Sequence, residues 1–100
     1  MIFLFLFFVF FNISANSDSL GFITNHESNK LDIIDLKKQK KVKEIQLGEK
    51  PAAIILDQTK KKIFVSNPES NNISLIDLTN GSNTLIDAGN SPIGLAFDKS

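Results

Sequence analysis

The chain has 100 residues, enough for one small domain, and its 11 lysines balance 11 aspartates and glutamates, so the formal net charge is zero. No overall field draws the chain toward nucleic acid or a membrane surface. The absence of cysteine excludes disulfides, thiolate metal sites and thiol nucleophiles, and the absence of arginine excludes bidentate guanidinium contacts to phosphate or carboxylate.

The first element is an uninterrupted apolar run over residues 1–11, and no charged residue occurs before Asp18. A helical membrane span takes about 20 residues, whereas the apolar core of a secretory signal peptide takes about 7–15. Small residues that suit a cleavage site follow the run. We therefore predict a signal peptide over residues 1–17, although no lysine or arginine precedes its core, and a periplasmic or secreted mature chain. The alternatives are a buried strand or a lone anchor.

From residue 20 onward the sequence repeats itself. Residues 22–36 return as residues 64–78, 42 positions later, with eight identities in fifteen positions. A second block, which begins with Gly48 and ends with Pro51, returns at a spacing of 41 as Gly89 to Pro92. A fixed period of about 40 residues indicates a repeat architecture.

Each repeat alternates short apolar runs with clusters of Asn, Gly, Ser, Asp and Lys, the pattern of short strands joined by turns. The strand predicted over residues 52–56, with its equivalent in the second repeat, is apolar on both faces and is predicted to be the most buried. The 42–47 type is half polar and is predicted to lie outermost, where lysines discourage pairing with another chain. Asn80 and Gly81 predict a hairpin turn, because both readily adopt positive φ. The eight predicted strands are Leu20–Asn25, 30–36, 42–47, 52–56, Lys62–Asn67, 72–78, 84–88 and 92–97.

Four antiparallel strands per forty-odd residues, graded from buried to exposed, predict an all-β fold built of β-propeller blades. Residues 18–100 would form about two blades of a partial propeller, with repeats over about 22–63 and 64–100. Repeats need neighbours to cover their apolar faces. We therefore expect a fragment of a longer exported protein whose remaining blades close the ring. The alternative is a short chain that closes the ring by self-association.

The repeat resembles the YVTN β-propeller family. Its usual unit has an aromatic-Val-Thr-Asn strand end, a Ser-Asn turn, a Val-Ile-Asp strand and a Gly-x-x-Pro entry to the inner strand. The matching residues are Phe22-Ile23-Thr24-Asn25 and Phe64-Val65-Ser66-Asn67, Ser28-Asn29 and Ser70-Asn71, Ile34-Asp35 and Ile76-Asp77, and Gly48/Pro51 and Gly89/Pro92. The resemblance covers about residues 20–100, with Phe in place of Tyr and with Asp57-Gln58 and Asp98-Lys99 in place of the usual Asp-Gly. It implies an extracytoplasmic interaction module, although some relatives are linked to cofactor-dependent alcohol oxidation and related propellers are lactonases.

Polar residues shared by both repeats are interpreted as structural, with side chains that hold turns through bonds to the backbone. Asp57 and Asp98, at the ends of inner strands, are also the candidates for acid–base or metal groups at a central channel. His26, the single histidine, has no second ligand at metal-binding spacing and is interpreted as a solvated loop residue. We therefore assign no catalytic, cofactor-binding or metal residues and predict no cofactor. The shared polar pairs are Asn25/Asn67, Asp35/Asp77 and Asp57/Asp98.

The lysines form two runs, over residues 37–43 and 60–62, and the predicted topology places both on one face of the disc. Glu27, Glu49 and Glu69 fall on the other face. No arginine or aromatic residue interleaves the lysines, which favours solvated turns over a polyanion-binding face and argues against nucleic acid.

We predict an exported scaffold that binds an unidentified protein or small-molecule ligand, without chemistry in this segment and without a membrane span after signal cleavage. The alternative is part of a propeller enzyme or redox accessory, lactonase-like or associated with alcohol oxidation, whose site lies in blades outside this sequence. Fold alone does not choose between them.

Overall fold

The computed structural model describes residues 19–98, and the regular structure within them is entirely β-strand. The signal peptide predicted over residues 1–17 lies outside the described residues. No helix in the described part of the chain is long and apolar enough to cross a membrane. The strands are β1 Leu20–Asn25, β2 Lys30–Asp35, β3 Lys40–Gln46, β4 Ile54–Asp57, β5 Lys62–Asn67, β6 Asn72–Asp77 and β7 Asn83–Asp87.

The seven strands form two antiparallel sheets. Sheet A has the order β1-β2-β3, and sheet B has the order β4-β5-β6-β7. Within each sheet, every strand pairs with its neighbour in the chain, as short turns dictate. The predicted all-β fold is confirmed, and the two sheets are consistent with about two propeller blades.

The eighth predicted strand, over residues 92–97, does not form. A strand exists only through ladder bonds to a partner, and within residues 19–98 neither sheet includes this segment. Its start is nevertheless held in place, because the Ser66 hydroxyl donates a hydrogen bond to the carbonyl of Ile93 over 2.7 Å. The prediction of a strand here was wrong for the described residues.

Three turn positions have the same backbone geometry in both repeats. Equivalent positions adopt the left-handed conformation, which Asn and Gly tolerate best. The hairpin turn predicted at Asn80-Gly81 forms between β6 and β7. Only Gly81 has positive φ, whereas the side chain of Asn80 accepts a hydrogen bond from the Ser82 N–H over 2.9 Å. The equivalent left-handed pairs are Asn29/Asn71, Gln39/Gly81 and Lys50/Ser91.

The hydrophobic core lies between the two sheets. Because side chains alternate along a strand, one face of sheet A and one face of sheet B contribute to it. The burial of this single cluster holds the two sheets face to face. Its members are Leu31, Ile33, Ile45 and Leu47 from the first repeat and Ile63, Val65 and Ile76 from the second, with Phe22, Ile54 and Leu78 packed against them.

Burial along the blade differs from the prediction at the inner strand. The inner strand β4 is only half buried, and Leu56 within it is 38% exposed. Burial is greatest in β5 and the other middle strands, because a middle strand is flanked on both sides whereas β4 is an edge strand with one partner. The outer strand β3 is exposed except at Ile45, which confirms its predicted position.

Candidate functional site

The strand registers separate two ends of the sheets. Asp35 lies opposite Lys40, and Lys62 lies opposite both Asp57 and Asp77, so both lysine runs fall at one end, as predicted. We call this the lysine end; it comprises the β2–β3, β4–β5 and β6–β7 turns. The opposite end, which we call the loop end, comprises the β1–β2 and β5–β6 turns and the β3–β4 connection.

Some lysines are compensated by carboxylates and others are not. The ammonium group of Lys41 lies 2.6 Å from Glu44 and 3.7 Å from Asp32. The hydrogen bond with Glu44 raises the pKa of Lys41, and bonds from Lys41 and then Lys30 lower the pKa of Glu44. These groups are exposed, so the pairs contribute little to stability. The lysines that form no ion pair with another described residue include Lys37, Lys38, Lys40, Lys60 and Lys61.

A groove of about 300 Å³ opens where the inner edges of the two sheets meet at the lysine end. Its walls are mostly aliphatic, with one phenyl ring, one amide and one ammonium group. Such a surface can hold an apolar group beside an anion, and none of its lining side chains is a carboxylate, imidazole or hydroxyl. The lining residues are Leu20, Phe22, Leu56, Gln58, Lys61 and Leu78.

The repeated aspartates at the lysine end cap turns. Asp35 Oδ1 accepts hydrogen bonds from the backbone N–H groups of the second and third residues after it, each over 3.0 Å. Asp77 Oδ1 accepts one from Thr79 N–H over 2.8 Å, and Asp57 Oδ1 accepts one from Lys60 N–H over 3.2 Å. The structural interpretation of these three residues is confirmed.

Asp57 and Asp98 were the candidates for acid–base or metal chemistry. Asp57 is buried and committed to its turn, and Asp98 is an exposed residue at the end of the segment that follows Pro92. Within residues 19–98 no three His, Cys, Asp or Glu side chains lie where they could hold a metal ion together.

His26 lies in the exposed β1–β2 turn at the loop end, as predicted for a loop residue. Its Nδ1 is 3.2 Å from the carbonyl oxygen of Pro51. Because a carbonyl only accepts, Nδ1 is the donor in this bond. Beside it the carboxylate of Glu27 lies 3.3 Å from the ammonium of Lys50. Both contacts join the first hairpin to the connection that enters β4, so they tether two blades.

Asn67 forms a buried network that the sequence did not predict. Its side-chain amide donates to Asn72 Oδ1 and to Ser74 Oγ, each over 2.9 Å. Its partners are side chains, so the predicted bonds to turn backbone were wrong at this residue. Asn67 is fully buried, whereas its repeat equivalent Asn25 is exposed. Identical residues in a repeat therefore have different environments, and only the neighbouring blade distinguishes them.

Four residues of the repeat motif connect each hairpin to the segment that follows it. They are Thr24 and Asn29 in the first repeat and Ser66 and Asn71 in the second. Asn29 Oδ1 accepts from Lys50 N–H over 2.8 Å, and the equivalent Asn71 Oδ1 accepts from Ser91 N–H over 2.9 Å. The hydroxyl groups of Thr24 and Ser66 form hydrogen bonds to the same connecting segments. Thr24 donates to the Ala52 carbonyl over 3.5 Å, as Ser66 does to Ile93. The motif therefore builds the junction between blades.

Among solved structures, the chain is similar to Kuenenia stuttgartiensis hydrazine synthase, a protein that contains a β-propeller. The TM-score is 0.69, with 25% identity over 74% of this chain. The match covers 21% of that chain, so this chain spans about a fifth of its length. No protein-family model matches the sequence, and no curated protein matches it significantly. The likeness supports a β-propeller repeat fold.

Proposed function

We propose that this chain is a module of an exported β-propeller with YVTN-type repeats, which acts as a binding scaffold and performs no chemistry within residues 18–100. The observation that carries the proposal is the use of the repeated polar residues. The carboxylates of Asp35, Asp57 and Asp77 accept backbone N–H groups. The side chains of Asn29 and Asn71 hold blade junctions. These side chains hold turns and blade junctions, which supports a structural role for the repeated polar residues.

The lysine end is the surface best suited to a ligand. It combines lysines that have no carboxylate partner among residues 19–98 with an apolar groove lined by Phe22, Leu56 and Lys61. A fitting ligand, whether protein or small molecule, has an apolar group next to an acidic one. Screening by salt weakens such contacts, because exposed charges interact only within about a Debye length.

The binding role is tested with a fluorescent peptide of alternating leucine and glutamate. Binding is expected to weaken about fivefold in the double variant Lys60→Gln/Lys61→Gln, since each exposed charge contact contributes about 0.5 kcal/mol. The matched control is Lys30→Gln/Lys50→Gln, which removes two lysines at the loop end and is expected to change the dissociation constant less than twofold. Equal effects of the two double variants, or no binding by the natural chain, would contradict the lysine-end assignment.

A second candidate function is a module of an enzyme, because the structural neighbour carries the name of an enzyme, hydrazine synthase. The same protein preparation distinguishes the two candidates when it is assayed with a simple lactone, and with a primary alcohol plus an electron acceptor. The scaffold proposal expects no turnover of either. Turnover that is lost in Asp57→Asn while the fold is kept would instead establish the second candidate.

Export is expected to remove the N-terminal apolar segment. The uncharged run over residues 1–11, followed by small residues, motivates this expectation. We expect the intact mass of the protein, recovered from the extracytoplasmic fraction, to correspond to a mature chain that begins between Asn16 and Leu20. A cytoplasmic product that retains residues 2–11 would refute the export proposal.

A further inference from the structure

The turn between β6 and β7 holds the pair Asn80-Gly81, and asparagine is followed by glycine nowhere else in the sequence. Such a pair is prone to spontaneous deamidation, because glycine has no side chain to hinder attack by its own backbone nitrogen on the asparagine side chain. Asn80 is exposed, so water reaches its amide. The pair is therefore a candidate site for a covalent modification that needs no enzyme.

The shape of the turn does not require this pair. All three turns at the lysine end have a left-handed residue at their fourth position, and in two of them this residue is not glycine. The residues at the third and fourth positions are Lys38 and Gln39, Lys60 and Lys61, and Asn80 and Gly81. The β6–β7 turn thus has a reactivity that the other two turns of the same shape lack.

The reaction joins the backbone of Gly81 to the side chain of Asn80. The backbone nitrogen of Gly81 gives up its proton and attacks the Cγ atom of Asn80. A C–N bond forms, the bond from Cγ to Nδ2 breaks, and the side-chain nitrogen leaves as ammonia with the proton that Gly81 gave up. Water then opens the cyclic imide at either of its carbonyl carbons. The product is aspartate, or isoaspartate when the backbone passes through the side chain.

In the closed turn both reacting groups are held by hydrogen bonds. The Gly81 N–H donates to the Asp77 carbonyl over 2.7 Å. The Oδ1 atom of Asn80 accepts from the Ser82 N–H over 2.9 Å. Attack requires the Gly81 N–H to leave Asp77 and the Asn80 side chain to rotate away from Ser82 toward the Gly81 nitrogen. The closed turn therefore protects a pair that its sequence makes reactive.

We propose that the β6–β7 turn is a deamidation site controlled by opening of the turn. Asn80 persists while the turn is closed and is converted to aspartate and isoaspartate when the turn opens. Such local opening does not require the whole chain to unfold. The loss of two hydrogen bonds makes the open turn about 30-fold less populated than the closed one. The modification does not depend on the proposed scaffold function or on its ligand.

The product changes the contact between this turn and the outer strand of sheet A. The ammonium group of Lys43 lies 3.3 Å from the place that a Cβ atom on Gly81 would occupy. The side-chain amide of Asn83 donates to the carbonyl of Gln46. Isoaspartate lengthens the backbone of the turn by a methylene group, so the modified turn is expected not to recover these contacts. The modification therefore leaves a permanent record that the turn has opened.

The test compares the reaction rate at Asn80 in the full chain with the rate in a synthetic peptide of residues 76–84, which lacks the rest of sheet B. Both are kept in the same mildly alkaline buffer without denaturant. Digestion at lysine, chromatography of the isomeric peptides and mass spectrometry give the fractions of asparagine, aspartate and isoaspartate. The full chain is expected to react about 30-fold more slowly than the peptide. Equal rates, or no reaction in the peptide, would overturn the proposal.

Two matched variants distinguish opening of this turn from a general loss of stability. Asp77→Ala removes the cap on the Thr79 N–H and is expected to speed the reaction at Asn80 about fivefold, relative to a peptide with the same substitution. Asp35→Ala removes the equivalent cap of the first repeat and is expected to change that rate less than about twofold. Equal acceleration by both variants, or an unchanged rate in Asp77→Ala, would refute control by local opening.

Discussion

Replacing Ile76 with alanine is expected to lower the free energy of unfolding by about 3 kcal/mol, within the range for truncation of a buried isoleucine. Ile76 is fully buried, lies opposite Ile63 in the sheet and belongs to the cluster between the sheets. Because Ile76 lies on a middle strand bonded on both sides, the backbone is not free to close the cavity. The measurement is urea denaturation followed by circular dichroism.

The matched control is Ile34→Ala, which removes the same side chain from the equivalent position of the first repeat. Ile34 is only half buried in the described residues, so the expected loss is about 1 kcal/mol. Equal losses for the two substitutions would show that the core does not lie between the sheets.

Replacing Gly48 with alanine is expected to destabilise the fold by about 3 kcal/mol, near the upper end for overpacking. A Cβ atom at this position would lie 2.6 Å from Ser70 Oγ and 2.7 Å from the side-chain amide of Asn67. Asn67 is buried and holds two hydrogen bonds, so it cannot withdraw without losing them. The melting temperature in a thermal unfolding experiment reports the loss.

Substitutions at two other glycines distinguish the effect of a steric clash from the effect of backbone strain. Gly94 has no atom within 4 Å of an added Cβ and no positive φ, so Gly94→Ala is expected to change stability by less than about 0.5 kcal/mol. Gly89 also has open space but a φ of 78°, so Gly89→Ala is expected to cost about 1 kcal/mol. If Gly48→Ala melted with the natural chain, the close approach of Asn67 would be disproved.

Gly48 and Gly89 occupy the same place before a proline, but the structure requires a glycine there for different reasons. Only Gly89 has positive φ, whereas Gly48 is required because the neighbouring blade leaves no space for a side chain. Pro51 is fully buried and precedes the inner strand by three residues, so it does not itself begin that strand.

Local patterns predicted the repeat, the strands and the turn caps. The 42-residue period and the alternation of apolar runs with turn residues predicted seven strands that the structure contains, in the predicted order. The caps formed by Asp35, Asp57 and Asp77 were predictable because each aspartate bonds N–H groups only two or three residues ahead. Interactions of such short range depend on the residues themselves and not on the rest of the fold.

By itself, then, the sequence determined the all-β class, the unit of repetition and the separation of the lysine runs from the loop end. Only the tertiary structure decided which copy of each repeated residue is buried. Val65 and Ile23, or Asn67 and Asn25, are equivalent in the repeat but lie in opposite environments. The physical reason is that burial depends on the blade stacked against a face. The interior faces of the two sheets cover each other, while the outer faces meet no second sheet within residues 19–98.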